Sequence, residues 1–319
     1  MGNCFMDIKM KLLVFAVDLI CPLILGYACK YQKRLGDTFF NKMILNNILV
    51  VCPIVSFLSF WVMPITREFL WLPLISIALG LIPGAMAYCL AGYKYKDFRE
   101  QGAYVMAASL SNLGTIGGIC VFLIYGESGY AYQQIATLFQ YVLMFMFCYP
   151  LARVYETKAQ GRSGQKVSIL SMLFSKKQLA VLGILLGGVL QYAGVPRPEA
   201  FNGVTQIFIH LGAWTGLIPV GYSVEFSKIK KYWTSLFDLS FIKFIAAPAV
   251  VYGLSHLVIK TPDMLGSLLI LSATPTAVNA VVTARLYNLS IDLSVAAFIV
   301  TTILFLFIVY PALFFVLAG

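Results

Sequence analysis

The chain has 319 residues, 60% of them hydrophobic and only 11% charged, with a mean hydropathy of +0.86. A soluble domain carries about a quarter charged residues, so a soluble globular protein is excluded. The formal charge of +10 would suit a nucleic-acid binder, but the basic residues gather in alternate connections between apolar runs, which makes them a topology signal.

Crossing about 30 Å of hydrocarbon takes roughly 20 apolar residues. Ten such runs fall near 12–29, 39–62, 69–93, 101–125, 131–152, 178–194, 201–224, 236–259, 264–287 and 292–317. The first follows basic residues as a signal peptide would. Asp18 and Pro22 interrupt it, however, and no small-x-small cleavage pattern follows, so it reads as a true span. Ahead of it Met1-Gly2-Asn3-Cys4 resembles an acylation site, but Met6 stands where Ser or Thr is needed. The seven cysteines (Cys4, Cys21, Cys29, Cys52, Cys89, Cys120, Cys148) lie almost wholly within spans and show no CxxC, which suits small packing residues.

The connections after spans 1, 3, 5 and 7 carry Lys30, Lys33, Arg34; Lys94, Lys96, Arg99; Arg153, Lys158, Arg162, Lys166, Lys176, Lys177; and Lys228, Lys230, Lys231. The opposite side carries only Lys9, Lys11, Arg67, Arg197 and Lys260. The basic side is therefore expected to be cytoplasmic and both termini non-cytoplasmic, in a plasma or inner membrane. A polar stretch, 156–177, divides residues 1–155 from 178–319, five spans each, as a cytoplasmic linker too short to be a domain. Within it, 167–174 is weakly amphipathic and is expected on the membrane surface. Five is odd, so a duplicated block must insert its second copy upside down, as in many secondary transporters.

Spans 4 and 9 hold the same place in the two halves, and both are interrupted. One reads Ser109-Leu110-Ser111-Asn112-Leu113-Gly114-Thr115-Ile116-Gly117-Gly118, the other Ser272-Ala273-Thr274-Pro275-Thr276-Ala277-Val278-Asn279. Proline removes a donor and clashes one turn back, and glycine lowers the cost of leaving the helix. Backbone groups freed at mid-bilayer cannot face lipid, so protein, water or a ligand must satisfy them. Matched broken helices point to a transporter binding site. Each break leaves a half-helix N-terminus with free N–H groups and partial positive charge. Asn112 and Asn279 add amide donors, and Ser111, Thr115, Thr274, Thr276 and Thr283 add hydroxyls, while neither break holds an acid. Such a site does not repel an anion. The expected substrate-binding residues are Asn112, Ser111, Thr115, Gly117, Thr274, Pro275, Thr276 and Asn279.

Other polar residues within spans carry two readings each. Asp18 is either a proton-coupling group or a water-facing one near the outer surface. His210, one turn from Trp214, either titrates beside substrate or is a packed histidine. Lys243 and Arg285 either neutralise an incoming anion or snorkel at the inner surface, the reading preferred for Lys243. Asn46 and Asn47 either line a pathway or bond to neighbouring helices. Enzyme signatures (HExxH, GxSxG, GxxxxGK[ST], paired aspartates) are absent.

Several segments together resemble the auxin efflux carrier family in its short prokaryotic form, over essentially the whole chain. They are Pro22 with Gly26, Cys52-Pro53, Ser111-Asn112-x-Gly114-x-x-Gly117, Gly194-Val195-Pro196, Leu211-Gly212 to Pro219-Val220-Gly221, Pro275 to Asn279, and Ala284-Arg285-Leu286-Tyr287. Ile119 and Ala280 stand where the family's crossing prolines fall, which leaves open whether the helices cross there. The resemblance implies an all-α fold of ten helices in two inverted five-helix repeats, with broken helices 4 and 9 crossed, a plan shared with bile-acid sodium symporters. Spans 1, 2, 6 and 7 form its scaffold and spans 3–5 and 8–10 its transport unit. The implied function is elevator-type transport of small organic anions such as carboxylates, with no resident cofactor. Coupling to H⁺ or Na⁺, and a homodimer, stay open. The partners are the substrate and the lipid bilayer, and nucleic acid is not among them. Rival readings are a sodium-coupled symporter of the bile-acid type, a non-transporting receptor for the same ligands, and a channel-like pore.

Overall fold

The structure, a computed structural model, describes residues 13, 16–32, 35–63, 66–160, 179–222, 232 and 236–318. The linker core with its amphipathic run, the acylation-like start with Cys4, and Lys228, Lys230 and Lys231 lie outside the described residues. Among the described residues the protein is helical throughout and has no strand. Six helices among the described residues are long and apolar enough to cross a membrane: Thr38–Val62, Arg67–Lys94, Leu113–Gln160, Ala200–Tyr222, Phe237–Val258 and Ile291–Leu317. Val17–Cys29, Leu182–Tyr192 and Pro262–Ser272 are shorter apolar helices. Large apolar side chains such as Leu182, Leu186, Val189, Phe307, Phe315 and Val316 stand on the outside, where only lipid makes them tolerable.

The segment Leu113–Gln160 would run about 72 Å if straight, more than twice the hydrocarbon thickness. It reverses at Gly126 (φ 63°, ψ −146°), a conformation that suits glycine. The returning arm lies against the outgoing one, since a Cβ on Gly118 would stand 3.2 Å from both Tyr130 and Gln133. Elsewhere α1 (Cys21–Cys29) packs along α9 (Ala200–Tyr222), and α3 (Cys52–Val62) along α8 (Leu179–Tyr192). Between the first and third of these runs α2 (Asp37–Asn46), and α4 (Leu72–Lys94), α5 (Phe98–Ser109), α6 (Gly118–Leu143) and α7 (Tyr149–Gln160) continue the first half. The second half closes with α10 (Phe237–Phe241), α11 (Ala247–Val258), α12 (Pro262–Ser272), α13 (Val278–Leu286), α14 (Ile291–Leu304) and α15 (Tyr310–Ala318).

Five prolines mark a change of helix shape, whereas Pro83 and Pro219 sit inside α4 and α9 without one. Pro22, Pro53, Pro150, Pro248 and Pro311 each follow by two residues a five-residue wide turn of π type: Ala16–Ile20, Asn47–Val51, Met144–Cys148, Ile242–Ala246 and Phe305–Val309. A proline ring clashes with the carbonyl four residues back and supplies no N–H, so the turn before it opens. A sixth wide turn, Leu113–Gly117, is followed at that distance by Ile119. Asp18, Asn47, Thr115 and Lys243 all lie in these opened turns. Turns of this kind recur at functional sites.

Candidate functional site

The chain leaves helical geometry at both expected places, and the two gaps lie against each other. After α5 the backbone is extended at Leu110 (φ −97°, ψ 104°), and after α12 it stays out of helix until Ala277 (φ −80°, ψ 155°). There Asn112 N donates to Pro275 O at 2.8 Å and Ala277 N to Leu110 O at 2.8 Å, around an antiparallel bridge between Ser111 and Thr276. Each broken helix thus satisfies backbone groups that the other has freed, as the low-dielectric interior requires. The contact is at Ser111 and Thr276, not at Ile119 and Ala280, both of which are buried in packing. Gly117 lets the ends close: a Cβ there would meet Leu271 at 3.0 Å and Thr274 at 3.2 Å.

The expected site residues divide into two groups. Ser111, Thr274, Pro275 and Thr276 are buried, and the hydroxyls are engaged inside the protein. Thr276 Oγ1 donates to Ala107 O at 2.8 Å and Thr274 Oγ1 to Leu271 O at 2.7 Å, while Ser111 Oγ accepts from Lys243 at 2.8 Å. Thr283 is buried too and donates to Asn279 O at 2.7 Å. The others lie at the edge of this packing: Asn112 is itself buried, and its neighbours border open space. Gly114 is exposed with nothing near it but the Thr137 methyl at 4.0 Å, and Thr115 and Asn279 are half-buried. Asn112 accepts the Thr115 hydroxyl on Oδ1 at 2.5 Å, which leaves its NH₂ as a donor. The Asn279 carboxamide makes no hydrogen bond among the described residues.

Gly216 of α9 and Asn47 lie beside this group. Asn47 Nδ2 donates to Gly212 O at 2.6 Å and Thr215 Oγ1 at 2.7 Å, and its Oδ1 accepts from Cys52 Sγ at 3.1 Å. It therefore bonds to a neighbouring helix, α9, beside the break, as the second reading of Asn47 has it. A Cβ on Gly216 would overlap the Thr115 methyl group and lie 3.5 Å from Asn47 Nδ2. Asp18 is buried; its carboxylate accepts from Trp214 Nε1 at 2.9 Å and meets His210 Nδ1 at 2.5 Å. Asp18 is thus not a water-facing residue, and His210 is held by it, with the Phe122 ring edge-on 6.0 Å away. Asn46 and Arg285 are exposed and lie outside this group.

Lys243 corrects the sequence reading. It does not snorkel: the residue is 1% exposed, and its ammonium donates to Ala108 O at 3.1 Å and Ser111 Oγ at 2.8 Å. The opened turn Ile242–Ala246 turns the side chain inward against α5. Two further residues hold the breaks and escape sequence reasoning. Gln140 Nε2 donates to Ser111 O at 2.6 Å, and Thr301 Oγ1 accepts from Thr276 N at 3.0 Å. Each sits mid-way along the span that follows a broken one, and a polar residue in an apolar run was the available signal.

Comparison with known proteins identifies the family. Residues 12–311 match the model of a family described as membrane transport protein. The chain belongs to that family, the auxin efflux carriers. It is also similar to an uncharacterized transporter of Methanocaldococcus jannaschii, 25% identical over 307 residues that cover 91% of this chain and 93% of the relative. The family is one of transporters, so this member is a multi-pass membrane transporter of a small molecule and not an enzyme.

Proposed function

We propose that this transporter moves small organic anions such as carboxylates by elevator-type alternating access. In this reading ten spans form two inverted five-helix repeats, with the basic connections cytoplasmic. Spans 1, 2, 6 and 7 are the scaffold, and spans 3–5 and 8–10 slide against it. The passenger sits at the paired breaks, where the Asn112 and Asn279 amides supply donors together with first-turn N–H groups of the Leu113–Gly117 turn and α13, and Thr115 orients Asn112. Ser111, Thr274, Pro275, Thr276 and Gly117 build that platform. The observation that carries the reading is the antiparallel pairing of Leu110–Asn112 with Pro275–Ala277, which gathers two half-helix N-termini and no carboxylate. The close contact of Thr115 with Gly216, a residue of the proposed scaffold, supports a platform that lies against that scaffold.

Uptake of a panel of labelled mono- and dicarboxylates into proteoliposomes tests the reading, with and without Na⁺ and pH gradients. Saturable uptake of at least one carboxylate is expected. Uptake confined to cations or neutral solutes would overturn it, and saturable binding with no flux would favour a receptor.

The non-cytoplasmic edge of the same boundary holds a bidentate ion pair. Arg197 donates to Glu127 Oε2 at 2.7 Å and Oε1 at 3.1 Å, and also to Leu58 O at 2.8 Å and Asn202 Oδ1 at 2.7 Å. Glu127 follows the reversal at Gly126, so the pair ties the span 4–5 hairpin to the connection before α9. Glu127→Gln leaves Arg197 its other acceptors and is expected to cost this conformation about 1–3 kcal/mol. A fall in apparent Tm of the purified protein checks it.

A further inference from the structure

α5 ends in mid-membrane, so its last carbonyls need partners that lipid cannot provide. Met106 O accepts the Leu110 N–H at 3.0 Å, Ala107 O the Thr276 hydroxyl at 2.8 Å, and Ala108 O the Lys243 ammonium at 3.1 Å. The same ammonium donates to Ser111 Oγ at 2.8 Å, inside the break itself. Lys243 takes part in no ion pair among the described residues. The nearest acid before it on its own helix, Asp238, is held by Lys94 and by Tyr104 Oη at 2.8 Å. The other half-helix that ends at a break carries no charge there. At α12 the Ser272 hydroxyl donates to Leu269 O at 2.7 Å and Thr274 to Leu271 O at 2.7 Å.

A half-helix C-terminus gathers partial negative charge, and in transporters with broken helices such ends coordinate the coupling cation. We propose that Lys243 is the resident cation of this site. Its ammonium fills the place at the end of α5 that a metal ion would otherwise occupy, and its charge, one residue from Asn112, favours an anionic passenger. The buried carbonyl and hydroxyl that it binds are the ligand types a sodium ion takes, which is why one group replaces the other. Lys243 is thus a positioning residue for the break as well as a source of field. Only the second role rests on the organic-anion reading.

Two measurements separate these roles. The first is thermal unfolding of the purified protein in sodium, potassium, lithium and choline chloride at equal ionic strength. Wild type is expected to melt alike in all four. Lys243→Ala is expected to melt lower in choline and to regain part of the loss, saturably, with one of the alkali ions. Saturable sodium stabilisation of wild type would overturn the proposal, because a metal site would then exist beside the lysine. So would a variant that no alkali ion rescues, which would make Lys243 a packing residue. If the alanine variant cannot be purified, Lys243→Gln replaces it, with the charge gone and a donor kept. The second measurement is uptake of whichever carboxylate wild type carries. Lys243→Ala is expected to raise KM about 10- to 100-fold, the effect of one unit charge at a few ångströms in a medium of intermediate dielectric. An unchanged KM overturns the field role. If wild type carries no carboxylate, the organic-anion reading fails, while the salt series still decides the resident cation.

Discussion

Asn112→Ala is expected to cut carboxylate uptake about 10- to 100-fold, the worth of one or two hydrogen bonds to a charged passenger. The fold is expected to survive, because the bonds that hold the break are main-chain: Asn112 N to Pro275 O at 2.8 Å and Gly117 N to Asn112 O at 3.0 Å. Alanine keeps both. What it removes is the acceptor that orients Thr115 and the free NH₂ of the amide. Asn279→Ala is expected to act alike, since its carboxamide makes no bond among the described residues that it could lose. Thr276→Ala is the contrasting variant. Its hydroxyl caps Ala107 O in the interior, so its loss is expected to lower Tm and leave the KM of the remaining folded protein near wild type. Uptake in proteoliposomes, normalised to folded protein, checks all three. Wild-type flux in Asn112→Ala and Asn279→Ala would remove these side chains from the site.

Gly216→Ala is expected to reduce transport about 5- to 100-fold, the effect of 1–3 kcal/mol of overpacking. Its Cβ would overlap the Thr115 methyl group, and Thr115, being β-branched, has little room to turn away without releasing Asn112. The conflict has a specific remedy. Thr115→Ser removes that methyl group and keeps the hydroxyl on Asn112, so alone it is expected to transport near wild type. In the double variant it is expected to restore most of what Gly216→Ala loses. A double-mutant cycle on uptake rates measures the coupling, and additive losses would mean the contact is not the cause.

Much of this was legible along the chain. The membrane class follows from composition, and the breaks follow from Pro275 and from the glycines of Gly114-x-x-Gly117-Gly118, because local backbone chemistry decides where a helix can continue. That Asn112 and Asn279 stand beside the breaks also followed, which makes their amides the candidates for a site. The wide turns were only partly legible: five have a proline two residues beyond them, but Pro83 and Pro219 open no such turn, and Ile119 stands at that place beyond the sixth. There the opening depends on the neighbouring break.

Lys243 shows where sequence reading stops. Its position along span 8, near the basic side, suits a snorkelling anchor, and only the opened turn before Pro248 and the approach of α5 turn it onto Ala108 and Ser111. Gln140 and Thr301 are similar, ordinary polar residues of apolar spans until a broken neighbour presents a free backbone group. The pairing of Asp18 with His210 joins residues 192 positions apart. By itself, then, the sequence determined that this chain lives in a bilayer, where its helices give way, and that Asn112 and Asn279 stand beside those breaks. Hydrophobic length and the conformational limits of proline and glycine are local properties. Which polar side chain answers which freed carbonyl or N–H was decided only by tertiary structure, because those partners come from different helices and meet only when the helices pack.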